Sequence, residues 1–129
     1  MEACLVDFFK SLVQLNADSA DLYVFNGHNG LMDKQPGYFW NTSGTQKDVA
    51  VIGCVSYDYF ADRLKCAGGY PLLTTNSLMA PEAYCIAALI ESWANFKPEK
   101  EMRDDVSTAY ANYQHCTVGA AKTIFKSGW

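Results

Sequence analysis

Two short, unbroken apolar runs constrain this chain most. Asp21 to Asn26 holds Leu22, Tyr23, Val24 and Phe25, and Asp48 to Cys54 holds Val49, Ala50, Val51 and Ile52. Both are rich in strand formers, and the first stops abruptly at Gly27. A strand with one wet face alternates apolar and polar side chains. Continuous apolar runs instead suit a parallel sheet covered on both faces. A third, shorter run, Pro71 to Thr75, adds a third strand.

Helical spacing fills the rest. Leu5, Phe8, Phe9, Leu12 and Val13 predict a helix from Glu2 to Leu15, with Asn16 as its stop. Ser56 can cap a helix whose Tyr57, Phe60, Ala61 and Leu64 share a face and which ends at Gly68-Gly69. Pro81 can open another, running from Glu82 to Asn95. Arg103 to Gln114 places Val106, Ala109, Tyr110 and Tyr113 on one stripe, and a last short helix is expected from Thr117 to Lys126. The expected fold is α/β: a small, mostly parallel three-stranded sheet flanked by helices, with residues 1–129 as a single domain.

Three strands make a small sheet, and its edges need cover, pairing or a partner. Either the chain is the C-terminal part of a larger α/β domain, its sheet truncated at the N-terminus, or it completes the sheet by association, as in a homodimer. Helices that cover both edges are the plain alternative. Residues 27–48 hold two turns, Pro36-Gly37 and Ser43-Gly44, without a clear helix. Such long loops are uncommon in compact domains, and are functional or simply excursions over the surface. Their aromatic set, Tyr38, Phe39 and Trp40, suits a lid or, more plainly, an anchor onto the core.

Composition narrows the function. Ten Lys+Arg against fourteen Asp+Glu give a formal charge of −4. No basic cluster offers a nucleic-acid footprint, and no apolar run approaches the roughly 20 residues of a membrane helix. The acidic start, Glu2 and Asp7, does not read as a signal peptide. The five cysteines, Cys4, Cys54, Cys66, Cys85 and Cys116, include no Cys-x-x-Cys pair, and there are only two histidines, His28 and His115. A structural metal site is not expected, nor is a cofactor. Reduced thiols point to a cytoplasmic setting.

The most informative pattern is a strand, then Gly27-His28-Asn29-Gly30, a loop, a second strand, Cys54 and a helix. Sites in parallel sheets form beyond the carboxyl ends of the strands. His28 and Cys54 share that rim if the two strands are parallel neighbours. A thiol just ahead of a helix N-terminus is placed for thiolate chemistry, with an imidazole to exchange its proton. Amides of Cys54 and of the Gly27–Gly30 turn would then face an oxyanion. Thr75 and Asn76, at the end of the third strand, would line a pocket beside Cys54 or serve as ordinary loop and cap residues. Asp33 is close enough in sequence to orient His28. Each half also has a plain reading: a buried filler thiol, and a histidine that only stabilises its turn.

A His-Gly-type turn after one strand and a cysteine after the next resemble the caspase-like cysteine peptidases, over roughly residues 21–60. The strings Gly-His-Asn-Gly-Leu-Met-Asp (27–33) and Leu-Met-Ala-Pro-Glu-Ala-Tyr (78–84) are also similar to those of bacterial proteins of that layout. The resemblance implies a three-layer sandwich with Cys54 as nucleophile and His28 as general acid/base. Asn29 stands where the group usually has glycine, and no Arg or Asp matches a specificity pocket. Only the dyad is therefore carried over. The expected activity is that of a thiol hydrolase acting on a peptide or small molecule. The rival expectation is a non-catalytic binding or assembly module.

Overall fold

The computed structural model describes residues 2–14 and 20–129. Helix α1 (Glu2–Val13) precedes strand β1 (Leu22–Asn26). A 3-10 turn (Gly30–Met32) lies in the connection to β2 (Lys47–Ile52). Then come α2 (Ser56–Ala67), β3 (Gly69–Thr75), α3 (Ala83–Ala94), α4 (Glu99–Gln114), α5 (Val118–Ile124) and β4 (Phe125–Lys126). The α1 stop expected at Asn16 lies outside the described residues.

The sheet is mixed and four-stranded, in the order β1-β2-β3-β4. β1, β2 and β3 run parallel, and β4 pairs antiparallel with β3 through Thr74↔Lys126 and Thr75↔Phe125. The expectation of three strands is corrected here. The last helix stops at Ile124 rather than Lys126, and the next two residues become strand. The cause is burial: Phe125 is sealed into the core, edge-on to Tyr110 at 5.6 Å between ring centroids. β-pairing in this segment also satisfies backbone groups at the edge of β3.

β2 explains why the apolar runs are continuous. Val49 and Val51 face a cluster with Leu5, Phe9 and Leu12 of α1 and Phe60 and Leu64 of α2. Ala50 and Ile52 face the other cluster, with Leu89 of α3, Val106 and Tyr110 of α4 and Ala121 of α5. Both parities of the strand are buried, so neither face takes a polar residue. The sheet is thus covered by helices on both sides. Each fully buried Leu, Ile, Val or Phe contributes about 1.5–3 kcal/mol.

The long connection is an ordered part of the fold rather than a loose excursion. Leu31 is buried, and Phe39 stacks on Phe9 at 5.9 Å. Arg63 of α2, only 5% exposed, donates to the Gly37 carbonyl at 3.1 Å and lies 4.5 Å from the Tyr38 ring centre. The Asn41 amide donates to the Cys66 carbonyl. Phe39 is thus the core anchor, whereas Trp40 remains 68% exposed. At the far end of the chain, Trp129 docks on this same body, edge-on to Tyr70 and beneath Lys65. Among the described residues, no helix is long and apolar enough to cross a membrane.

Candidate functional site

The register of the first two strands fixes the site. Asn26 pairs with Ile52, so Gly27-His28 and Gly53-Cys54 leave the sheet in step at one rim. The two turns touch. A Cβ on Gly53 would sit 2.7 Å from the Gly27 carbonyl oxygen, so only glycine fits there. Asn29 is fully buried between them: its side-chain amide donates to the Cys54 carbonyl at 2.8 Å and accepts from the Leu31 amide at 3.1 Å. The single asparagine therefore starts the 3-10 turn and ties it to the cysteine-bearing turn.

That 3-10 turn brings Asp33 back to His28. The His28 ring nitrogen Nε2 lies 2.6 Å from an Asp33 carboxylate oxygen, and both side chains are well exposed. A carboxylate only accepts, so Nε2 carries the proton and Nδ1 is left as the basic nitrogen of a neutral ring. The sequence had singled out Asp33 by proximity alone. The turn supplies the geometry.

Cys54 is partly buried in the turn between β2 and α2. The helix cap differs from the sequence expectation. Val55 occupies the N-cap position in the left-handed region (φ 48°), and Ser56 is already helical. A β-branched residue there stores about 1–3 kcal/mol of backbone strain. The Ser56 hydroxyl, freed from capping, turns inward and donates to the Val51 carbonyl at 2.7 Å.

Two further residues secure the Cys54 turn, and only one was foreseen. Thr75 is fully buried and does not line an open pocket. Its hydroxyl donates to the Gly53 carbonyl and accepts from the Ser56 amide at 3.1 Å, so it braces the turn from beneath. Met79 was not foreseen. Its amide donates to the Cys54 sulfur at 3.4 Å, and the thiol donates to its carbonyl at 3.3 Å. Both contacts come from backbone groups of a segment without regular structure, so no residue type could announce them. Asn76 is exposed, and its amide bonds to the Ile124 carbonyl.

The oxyanion expectation is corrected in part. The Gly27 amide donates to the Ile52 carbonyl and the Gly30 amide to the His28 carbonyl, so both are already engaged within the fold. Beside the Cys54 turn, a groove of about 360 Å³ is lined by Met32, Gln35, Tyr38, Val55, Asp58 and Arg63. His115 and Cys116 are exposed at the end of α4, remote in sequence from this rim. Among the described residues, no group of three or more His, Cys, Asp or Glu side chains is arranged to hold a metal ion.

Elsewhere, burial pushes the Cys85 thiol up to about 11, with the Glu82 carboxylate adding to the rise. It is a core residue and not a second reactive thiol. Comparisons with models of protein families, with curated proteins and with solved structures find no match.

Proposed function

We propose that the chain is a thiol hydrolase of caspase-like type, with Cys54 as nucleophile, His28 as general acid/base and Asp33 as the group that orients the imidazole. The observation that carries this reading is the parallel, adjacent pairing of β1 with β2, which delivers His28 and Cys54 to one rim. In the reaction, Nδ1 of His28 takes the thiol proton and the sulfur attacks an acyl carbon. The leaving amine or alcohol departs with that proton, and a thioester remains on Cys54. Water, activated by the same nitrogen, then releases the acid and restores the thiol. The positive end of α2 beside Cys54 favours the anionic sulfur. The substrate is a peptide or a small acyl compound, and the groove at Tyr38 and Asp58 is the place for its side chain. A free thiol nucleophile suits a reducing, cytoplasmic setting.

The test compares the native chain with Cys54→Ala and His28→Ala on fluorogenic amide and ester panels. Loss of turnover in both variants, with intact circular dichroism, is the expected result. Turnover that survives Cys54→Ala would refute the assignment.

One observation favours a second reading, the non-catalytic binding or assembly module. His28 is bonded to Asp33 and Cys54 to the Met79 backbone, so each group has a partner other than the other. A module of that kind would be inert on all substrates and would form a concentration-dependent dimer in sedimentation.

A further inference from the structure

The segment that follows β3 crosses the rim above Cys54, held by a few hydrogen bonds and by the Met79 side chain, which is buried in the core cluster with Ile52, Leu89 and Tyr110. The carbonyl of Ser77 accepts from the Val55 amide at 3.0 Å. Met79 holds the Cys54 sulfur through both its amide and its carbonyl. The Ala80 amide donates to the Tyr110 hydroxyl at 3.2 Å. Between these fixings Leu78 projects outward, 71% exposed, whereas Met79 is 9% exposed and faces the body. Residues 76–82 form no helix or strand of their own. They start from a firm base, since the Asn76 amide is bonded to the Ile124 carbonyl.

We propose that residues 77–81 are a strap closed over Cys54, and that Tyr110 is the positioning residue that keeps it closed. The inference rests on the reading of Cys54 as the reactive thiol. A thiol that donates to one carbonyl and accepts from the amide of the same residue has no free approach on that side. An acyl carbon can reach the sulfur there only after the Met79 peptide moves away. Tyr110 reaches this strap from α4, in the helical layer on the opposite face of the sheet from α2. Its ring is held independently by Phe125, edge-on at 5.6 Å, so the hydroxyl is a fixed acceptor. The outward Leu78 gives an incoming chain an apolar side chain to grip as the strap lifts.

The test is site-resolved alkylation with iodoacetamide, in which the sulfur displaces iodide, read by mass spectrometry at each cysteine of the full chain. Tyr110→Phe removes the acceptor but keeps the ring and its contacts. Ala80→Pro removes the donor of the same bond without touching α4. In both variants the Cys54 rate should rise by about two- to tenfold, the range set by one neutral hydrogen bond. Cys85, fully buried in the core, reports global opening and should not change. A Cys54 rate equal to that of the native chain in both variants overturns the strap. So does a parallel rise at Cys85, which would mean that the whole fold had loosened. The proposed hydrolase fails separately: a rise at Cys54 in a chain with no turnover on any substrate keeps the strap and removes the enzyme.

Discussion

Thr75→Val should destabilise the chain far more than its shape suggests. Valine matches threonine in volume, so no cavity opens. The loss is chemical. The Thr75 hydroxyl serves two buried backbone groups, the Gly53 carbonyl and the Ser56 amide. Each is left without that partner, and an orphaned buried group costs about 1–3 kcal/mol. The added methyl of valine returns about 0.8 kcal/mol. The net loss is about 1–5 kcal/mol. For a chain of this length that corresponds to a fall in Tm of about 4–18 °C. Thr75→Ser, by contrast, keeps the hydroxyl and gives up one buried methyl, about 1 kcal/mol. The assay is urea unfolding followed by fluorescence of the tryptophans, with thermal melts alongside. Serine should be the milder change although it is the less apolar one. If valine is tolerated as well as serine, the hydroxyl does not brace the Cys54 turn, and the account of that turn is wrong.

Arg63→Met keeps the buried stem but removes the guanidinium that holds the Gly37 carbonyl and the Tyr38 ring. Limited proteolysis should then cut within residues 34–46 several times faster, and an unchanged cleavage rate would show that Phe39 and the Asn41–Cys66 bond hold the loop without Arg63. The Asp105 carboxyl lies below its usual range, chiefly because Lys97 donates to it at 2.7 Å, with Ser92 also donating. A depressed carboxylate stabilises the fold above its ordinary value, about 3.9, and loses that contribution as pH falls through the native value. Asp105→Asn should therefore be less stable than the native chain at pH 7, and the gap should narrow by pH 3. A gap that is the same at both pH values would refute the ion-pair account.

The sequence made the sheet legible where burial is two-sided. Leu22–Phe25 and Val49–Ile52 could be read as parallel strands because both parities of a covered strand must be apolar. The shared rim of His28 and Cys54 followed from strand ends alone. β4 was hidden because a two-residue strand has no period of its own, and Ile124-Phe125 continues the helical pattern of α5. The role of Thr75 was hidden for a different reason. A threonine at a strand end serves a loop, a cap or a buried brace equally well. Only the inward Ser56 hydroxyl, displaced from capping by the left-handed Val55, decides among them. Met79 left no trace because its contacts are made by backbone, which every residue carries.

The two readings of the site now differ by an energy that can be bounded. In the closed arrangement Cys54 exchanges two hydrogen bonds with the Met79 peptide, each neutral and involving sulfur, a weak donor and acceptor. Together they are worth about 1–2 kcal/mol at most. A thiolate and an imidazolium about 4 Å apart near a protein surface attract each other by about 4 kcal/mol before desolvation and side-chain ordering are subtracted. Opening also gives up the buried Met79 side chain, a member of the core cluster with Ile52, Leu89 and Tyr110, worth about 1.5–3 kcal/mol, so the cost of opening, about 2.5–5 kcal/mol in all, is comparable with that attraction. A bound acyl group that takes up the Met79 position would tip the balance further. On the proposed reading, what separates an enzyme from an inert module is the freedom of a five-residue strap, with Tyr110 as its anchor.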